Sequence, residues 1–193
     1  FHVAGLNLGL ITLAQGATSV IMRDVDPGQI LDYIPRYGIN NAFFVPAVML
    51  FMLQHPAVEH TDFSSLNRLY YGASPIAEDL LRRAQARFGC AFFQLYGLTE
   101  TCGAGTCLPD DAHDPARGKL RACGLPYPGI DIKVVDADGA AVPPGVVGEI
   151  IMRAGVVMKG YWKRPDATAA AIRNGWFHTG DAGYLDEDGF LFI

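Results

Sequence analysis

Thr99 and Glu100 stand side by side just after the run Gln94-Leu95-Tyr96-Gly97-Leu98. These side chains could together hold a phosphorylated ligand. Tyr96 offers a flat face for a base, Gly97 lets backbone approach closely, Thr99 brings a hydroxyl to a phosphate, and Glu100 is an oxygen ligand suited to magnesium. A polar turn with Thr99 as a helix N-cap has the same composition, and both readings stand at this point.

Two further segments carry related chemistry. Tyr71-Gly72-Ala73-Ser74-Pro75 leads from a predicted strand to a helix start, where small residues admit a ligand to free N–H groups and a favourable dipole. Any strand–turn–helix of an α/β protein shares that composition. Trp176-Phe177-His178-Thr179-Gly180-Asp181 is expected to end a strand on a carboxylate, and Asp181 could accept hydrogen bonds from both ribose hydroxyls. The competing role for Asp181 is an Asx-turn. Asp186-Glu187-Asp188-Gly189 resembles part of a calcium loop, but it is too short and lacks the final bidentate Glu, so it reads as a hairpin turn.

The elements that must position these segments are legible in the pattern. Short β-branched or aromatic runs at 18–22, 42–45, 68–71 and 91–96 alternate with helical stretches, which predicts a parallel sheet. One helix is expected from Asp26-Pro27 to Gly38 with Ile30, Leu31 and Ile34 inward, and another opens at Pro46. A third is expected to start with Ser74 as N-cap and Pro75 at its first position, burying Ile76, Leu80, Leu81, Ala84 and Phe88 before Gly89. The apolar run 8–14 is shorter than a bilayer span and reads as a buried helix. Beyond Pro109 a polar connector, 110–117, leads to short strands separated by tight turns. Among these are Ile130-Asp131-Ile132-Lys133-Val134, residues 150–153 and residues 190–193, with a helix at 165–172 between them. The fold class expected is α/β: an α/β subdomain over 1–116, then a β-rich, barrel-like subdomain over 117–193.

Composition excludes several classes. The 193 residues are half apolar, enough for a real core, and carry a net charge of −5 with no basic run, which argues against nucleic acid as a partner. No membrane span or signal segment is visible. Cys90, Cys102, Cys107 and Cys123 lack zinc or disulfide spacing and read as reduced thiols of a cytoplasmic protein, and nothing near Cys102 supplies a His base for a nucleophile. The chain opens on Phe1 and closes on Leu191-Phe192-Ile193, so both true termini are expected to lie outside it.

In this order and spacing, the three segments resemble the core motifs of the adenylate-forming superfamily: acyl-CoA synthetases, coumarate:CoA ligases, beetle luciferases and peptide-synthetase adenylation domains. The resemblance runs from Phe1-His2-Val3-Ala4-Gly5 through Gly148-Glu149-Ile150 and Gly160-Tyr161-Trp162 to Thr179-Gly180-Asp181. It implies a nucleotide site of Gly72, Ala73, Ser74, Gln94, Leu95, Tyr96, Gly97, Thr99 and Asp181, with Tyr96 stacked on adenine and Asp181 on the ribose. It implies Thr99 at the α-phosphate, Glu100 at magnesium, and His2 beside the substrate carboxylate. By itself, His2 is a packed loop residue. The acyl pocket implied comprises His2, Val3, Gly5, Gly72, Gly97, Cys102 and Gly103.

The activity implied is ATP-dependent adenylation of a carboxylic acid, followed by transfer of the acyl group to CoA. Cofactors and co-substrates are ATP/AMP, Mg2+ and CoA. The phosphate loop, hinge and catalytic Lys of the family are expected in flanking sequence, and the 193 residues alone are expected to be inactive. Leu98 stands where peptide-synthetase domains usually have Pro, and Phe1-His2 where they have Phe-Asp, which favours acyl-CoA ligases. The stretch 101–106 is closer to bacterial fatty-acyl-CoA ligases than to aryl ligases. Alternatives are an adenylating relative with another acceptor, by carrier-protein loading or luciferase-like oxidation, and a non-catalytic AMP-binding module. Oligomeric state is not legible.

Overall fold

A computed structural model describes residues 2–193, so Phe1 of the amino-terminal motif lies outside the described residues. In chain order the first elements are α1 (Val3–Ala14), α2 (Pro27–Arg36), β1 (Asn41–Phe44), α3 (Pro46–Gln54), β2 (Arg68–Gly72), α4 (Glu78–Phe88) and β3 (Ala91–Tyr96). There follow β4 (Thr106–Leu108), β5 (Leu125–Pro126), β6 (Ile130–Val135), β7 (Gly148–Ala154), α5 (Pro165–Ala171), β8 (Ile172–Arg173), β9 (Trp176–Leu185) and β10 (Leu191–Phe192). The chain forms two compact units. One comprises residues up to Ile11, Leu95–Leu108 and Ala122–Ile193, and the other Thr12–Gln94 and Pro109–Arg121.

The unit built on residues 12–94 and 109–121 is α/β. β2 lies between β1 and β3, and β1 pairs with β2 in parallel, Asn41 opposite Arg68 and Phe44 opposite Tyr71. That register brings both strands to their carboxyl ends together, where open α/β sheets present ligand loops. α2 forms because Asp26 accepts the Gln29 N–H (2.9 Å) and Pro27 has no N–H to leave unpaired. Its Ile30, Leu31 and Ile34 are buried against Met49, Met52, Leu81 and Phe88. α4 ends on Gly89 in the left-handed region, as its glycine foretold.

The other unit is β-rich. Its sheet has the order β10-β9-β7-β6, with β8 also on β9, and every pairing is antiparallel. β6 and β7 match through Ile130 opposite Ala154 to Val135 opposite Glu149. The inward residues Val134, Ile150, Met152 and Leu191 form its core with Cys123. Gly183 is required there, because a Cβ would collide with the Phe192 carbonyl. The hairpin between β9 and β10 is closed by Asp186, whose carboxylate accepts the Asp188 and Phe190 N–H groups at 3.0 and 2.9 Å, so that segment is a turn.

Four local expectations are corrected. Residues 8–14 are helical within α1, but no α1 residue is buried, and Leu10 and Leu13 are 54% and 71% exposed. Residues 18–22 form no strand: Ile21 is 87% exposed, and β-branched composition makes no strand without a partner ladder. Ser74 does not cap α4, which begins at Glu78 after Ala77. Ile76 instead packs, partly buried, against the core ahead of the helix, and the burial of its side chain offsets the cap of about 1 kcal/mol that is forgone. Asp181 does not end its strand, because β9 continues to Leu185.

Candidate functional site

Asp181 sits in an irregularity of β9. His178 pairs with Ile151 and Ala182 with Glu149, so Thr179, Gly180 and Asp181 together stand opposite Ile150 alone. The surplus residues bulge out, and Gly180 accommodates this with φ of 77°. Thr179 Oγ1 donates to the Ile150 carbonyl (2.7 Å) and accepts the Asp181 N–H (3.0 Å). A regular strand would alternate side chains mechanically; the bulge re-aims this one. Its carboxylate accepts a 2.7 Å hydrogen bond from the Tyr96 hydroxyl. Burial, and then this bond to Asp181, push the Tyr96 phenol well above its ordinary value, so it stays a neutral donor.

Beyond Tyr96 the chain makes a tight loop. Gly97 is needed because a Cβ would strike the Gly103 carbonyl. Residues 99–101 form one 3-10 turn, and buried Thr101 secures it: its hydroxyl accepts the Leu98 N–H and lies 3.1 Å from the Leu98 carbonyl. Thr99 is left exposed and Glu100 half-buried at the turn. Glu100 is gripped twice: its carbonyl accepts the Met158 N–H (2.7 Å), and its carboxylate accepts from the Tyr161 hydroxyl (2.8 Å). That bond is the chief reason the Tyr161 phenol is held above its ordinary value. Tyr161 is fixed in turn by the Thr168 hydroxyl, which accepts its N–H at 2.9 Å.

The amino-terminal candidates reach the same loop. Asn7 donates to the Cys102 carbonyl, and the Val3 side chain lies against Gly103. Gly5 faces open space. His2 is exposed and accepts the Ala4 N–H on Nδ1 (3.2 Å), capping α1. Thus Leu95, Tyr96, Gly97, Thr99, Glu100, Cys102, Gly103, Asp181, His2, Val3 and Gly5 all belong to the β-rich unit, and Gly72, Ala73, Ser74 and Gln94 to the α/β unit. There, Gly72 ends β2, Ala73 takes φ of 64°, and buried Gln94 lies 3.2 Å from the Tyr71 hydroxyl.

Among the described residues, no three or more His, Cys, Asp or Glu side chains converge as a metal cage. Glu100 offers one carboxylate. A magnesium ion there would take its other ligands from phosphate and water, its usual habit, so the donor set fits magnesium and not zinc.

Two partners escaped the reading of single residues. Tyr161 belongs to a motif that carried no assigned role until its hydroxyl was located on Glu100. Glu149 accepts from His178 Nδ1 (2.8 Å) and from the Gly180 N–H (3.3 Å), although 29 and 31 positions separate them. The Gly148-Glu149 dipeptide was the available signal. Its neighbours Lys133, Trp176, Arg173 and His178 line a cleft of about 630 Å³.

The family described as AMP-binding enzyme matches residues 1–162. The chain belongs to this family. A Streptomyces coeruleorubidus protein named fatty acid–[acyl-carrier-protein] ligase ScoC is 45% identical over the whole chain, which covers 37% of that protein. Feruloyl-CoA synthase of an Amycolatopsis species is 38% identical, the chain covering 39% of it. Among solved structures, the amide bond synthetase McbA of Marinactinospora thermotolerans superposes with TM-score 0.91 at 36% identity, covering 97% of this chain and 38% of that one. The N-terminal domain of FACL13 from Mycobacterium tuberculosis gives 0.90 at 32%, covering 100% and 48%. This AMP-binding enzyme chain therefore spans less than half the length of each of these relatives. Its α/β class and mixed sheets agree with those neighbours.

Proposed function

We propose that the chain is part of an ATP-dependent ligase that adenylates a carboxylic acid, a fatty acid in the first instance, and passes the acyl group to CoA. The observation that carries this is the Tyr96–Asp181 pair in one compact unit with the Thr99-Glu100 turn. A ring with a fixed carboxylate beside it suits a nucleoside, and a hydroxyl and carboxylate one turn further suit its phosphates. In the first step a substrate carboxylate oxygen bonds to the α-phosphorus of ATP, and the bond to pyrophosphate breaks. The barrier is largely charge crowding. Thr99 donates to the α-phosphate, Asp181 and Tyr96 hold the nucleoside, and His2 faces the incoming carboxylate. Magnesium, held at Glu100, would neutralise phosphate charge. In the second step the CoA sulfur bonds to the acyl carbon, AMP leaves with the mixed-anhydride oxygen, and the thiol proton is lost to solvent.

Carrier-protein loading is a second reading, favoured by the 45% identity to a fatty acid–[acyl-carrier-protein] ligase, above the 38% to a CoA synthase. Both share the adenylation step. The test is ATP–pyrophosphate exchange by the full-length protein across fatty, aryl and amino acids, then acyl transfer to CoA or to a phosphopantetheinyl carrier protein. Exchange with fatty acids and CoA thioester formation support the first reading, and carrier loading without CoA thioester moves the acceptor. Absence of exchange with every acid overturns catalysis in favour of an AMP-binding module. No described helix is long and apolar enough to cross a membrane. Cys90, Cys102, Cys107 and Cys123 are thiols rather than disulfides, which suits a reducing compartment such as the cytoplasm.

A further inference from the structure

We infer that Glu149 is a positioning residue for nucleotide recognition, holding the β9 bulge in the one shape that aims Asp181 at the ribose; the inference rests on the reading of Asp181 as the ribose ligand. A bulge of this kind is unstable by default. Its residues leave the ladder, so their N–H groups need other partners, and Gly180 adds the conformational freedom of glycine. The two N–H groups at its tip are both taken by side chains. Thr179 Oγ1 accepts the Asp181 N–H from within the bulge, and Glu149 Oε1 accepts the Gly180 N–H from the neighbouring strand. The second ties the tip directly to the neighbouring strand, and the first does so through the Thr179 hydroxyl, which donates to the Ile150 carbonyl.

Glu149 is itself held. Its Oε2 lies 2.8 Å from His178 Nδ1 and 3.5 Å from Arg173 Nη2. Arg173 also lies 2.6 Å from the same imidazole nitrogen, which cannot accept from Arg173 and donate to Glu149 at once. The bond to the carboxylate prevails, because it is charge-assisted on the acceptor side and the half-exposed Arg173 is free to swing out. His178 is the last paired residue before the bulge, so the Glu149 carboxylate bridges the base of the bulge to its tip. The effect of Glu149 on Asp181 passes through the backbone of Gly180.

The test is the preference of the full-length protein for AMP over 2′,3′-dideoxyAMP, as a ratio of calorimetric Kd values. In the wild type Asp181 makes that ratio large, and Asp181→Ala brings it near one. Glu149→Ala is expected to lower the ratio about tenfold while Kd for the dideoxy nucleotide stays within about twofold, since a misaimed acceptor loses charge-assisted bonds to the ribose and nothing else. Glu149→Gln, which still presents an oxygen to the Gly180 N–H, should keep the ratio within about threefold of wild type. Adding Glu149→Ala to Asp181→Ala should change nothing further. Equal weakening of both nucleotides in Glu149→Ala would mark a merely structural residue and overturn the inference, as would an unchanged ratio. If Glu149→Ala does not fold, Thr179→Val cuts the other tie of the bulge, and an unchanged ratio in that variant overturns the bulge mechanism. If Asp181→Ala itself leaves the ratio unchanged, the ribose reading fails and takes this inference with it. A collapsed ratio in Asp181→Ala beside a preserved one in Glu149→Ala rejects this inference alone.

Discussion

The Tyr96 hydroxyl donates a 2.7 Å hydrogen bond to the Asp181 carboxylate across 85 positions of sequence, joining the end of β3 to the bulge of β9. A carboxylate so engaged has one oxygen fixed and its plane defined, and the phenol that fixes it is kept neutral by burial.

Tyr96→Phe isolates that bond while retaining the ring. Loss of a hydrogen bond to a charged group in a half-buried setting is expected to cost about 1.5–3 kcal/mol of stability, read by urea unfolding of the full-length protein. On the proposed reading, nucleotide affinity should fall less than in Asp181→Ala, because the ring and the carboxylate both remain. A stability change below about 0.5 kcal/mol would mean water replaces the phenol at no cost.

Much of this arrangement could be read from sequence, and the reason is physical. β1, β2, β3, α2 and α3 follow from short-range signals: a Pro at a helix start, an Asp before it, a β-branched or aromatic run. Residues 18–22 failed the same test because a strand is a pairing property, and the missing ladder is not local. Asp181 was legible as an acceptor but not as a bulge residue, since the surplus in β9 exists only relative to β7. Tyr161 and Glu149 were quoted within motifs, yet their partners Glu100 and Gly180 lie 61 and 31 positions away, beyond any periodicity.

Tyr161→Phe should act on magnesium use. The Tyr161 hydroxyl orients the Glu100 carboxylate, and its loss leaves that half-buried side chain freer to rotate. In the proposed ligase, half-saturation by magnesium in ATP–pyrophosphate exchange is expected to rise roughly three- to tenfold, within the range for losing a partner of a ligand. KM for the acid should not move. An unchanged magnesium requirement would separate Glu100 from metal binding or Tyr161 from Glu100.

His113 predicts a pH dependence of stability. It is buried, its Nδ1 lies 2.8 Å from the Pro109 carbonyl and its Nε2 2.9 Å from the Tyr71 hydroxyl. Burial lowers its pKa below the ordinary imidazole value, outweighing the Pro109 carbonyl and the charges of Asp110 and Asp111, which raise it. The unfolded chain therefore binds a proton more readily than the folded one. This contribution to stability is complete above about pH 6.5 and is lost as pH falls from there toward the folded-state value. Urea unfolding at pH 7.5 and 5.5 should give a steeper loss for wild type than for His113→Gln; parallel slopes would exclude His113 as the group responsible.

Gly97→Ala tests whether the loop beyond Tyr96 is set by close backbone approach or merely tolerates glycine. The new Cβ would overlap the Gly103 carbonyl and press within 2.9 Å of the Ala104 nitrogen, and both are backbone atoms that no rotamer change can move aside. The Gly103 N–H is bonded to the Leu98 carbonyl at 2.7 Å, so displacing one side of the loop drags the turn that carries Thr99 and Glu100. Overpacking of this kind costs about 1–3 kcal/mol, and the strain falls on the turn rather than on the β-sheet core. On the proposed reading, the expected outcome is a folded protein with lowered melting temperature, a near-normal Kd for adenosine, which has no phosphate for the turn to meet, and exchange reduced by about 100-fold through misplaced phosphate contacts. A variant that loses adenosine affinity and exchange in equal measure would place the strain on Tyr96 instead, and with it the origin of the loop's geometry.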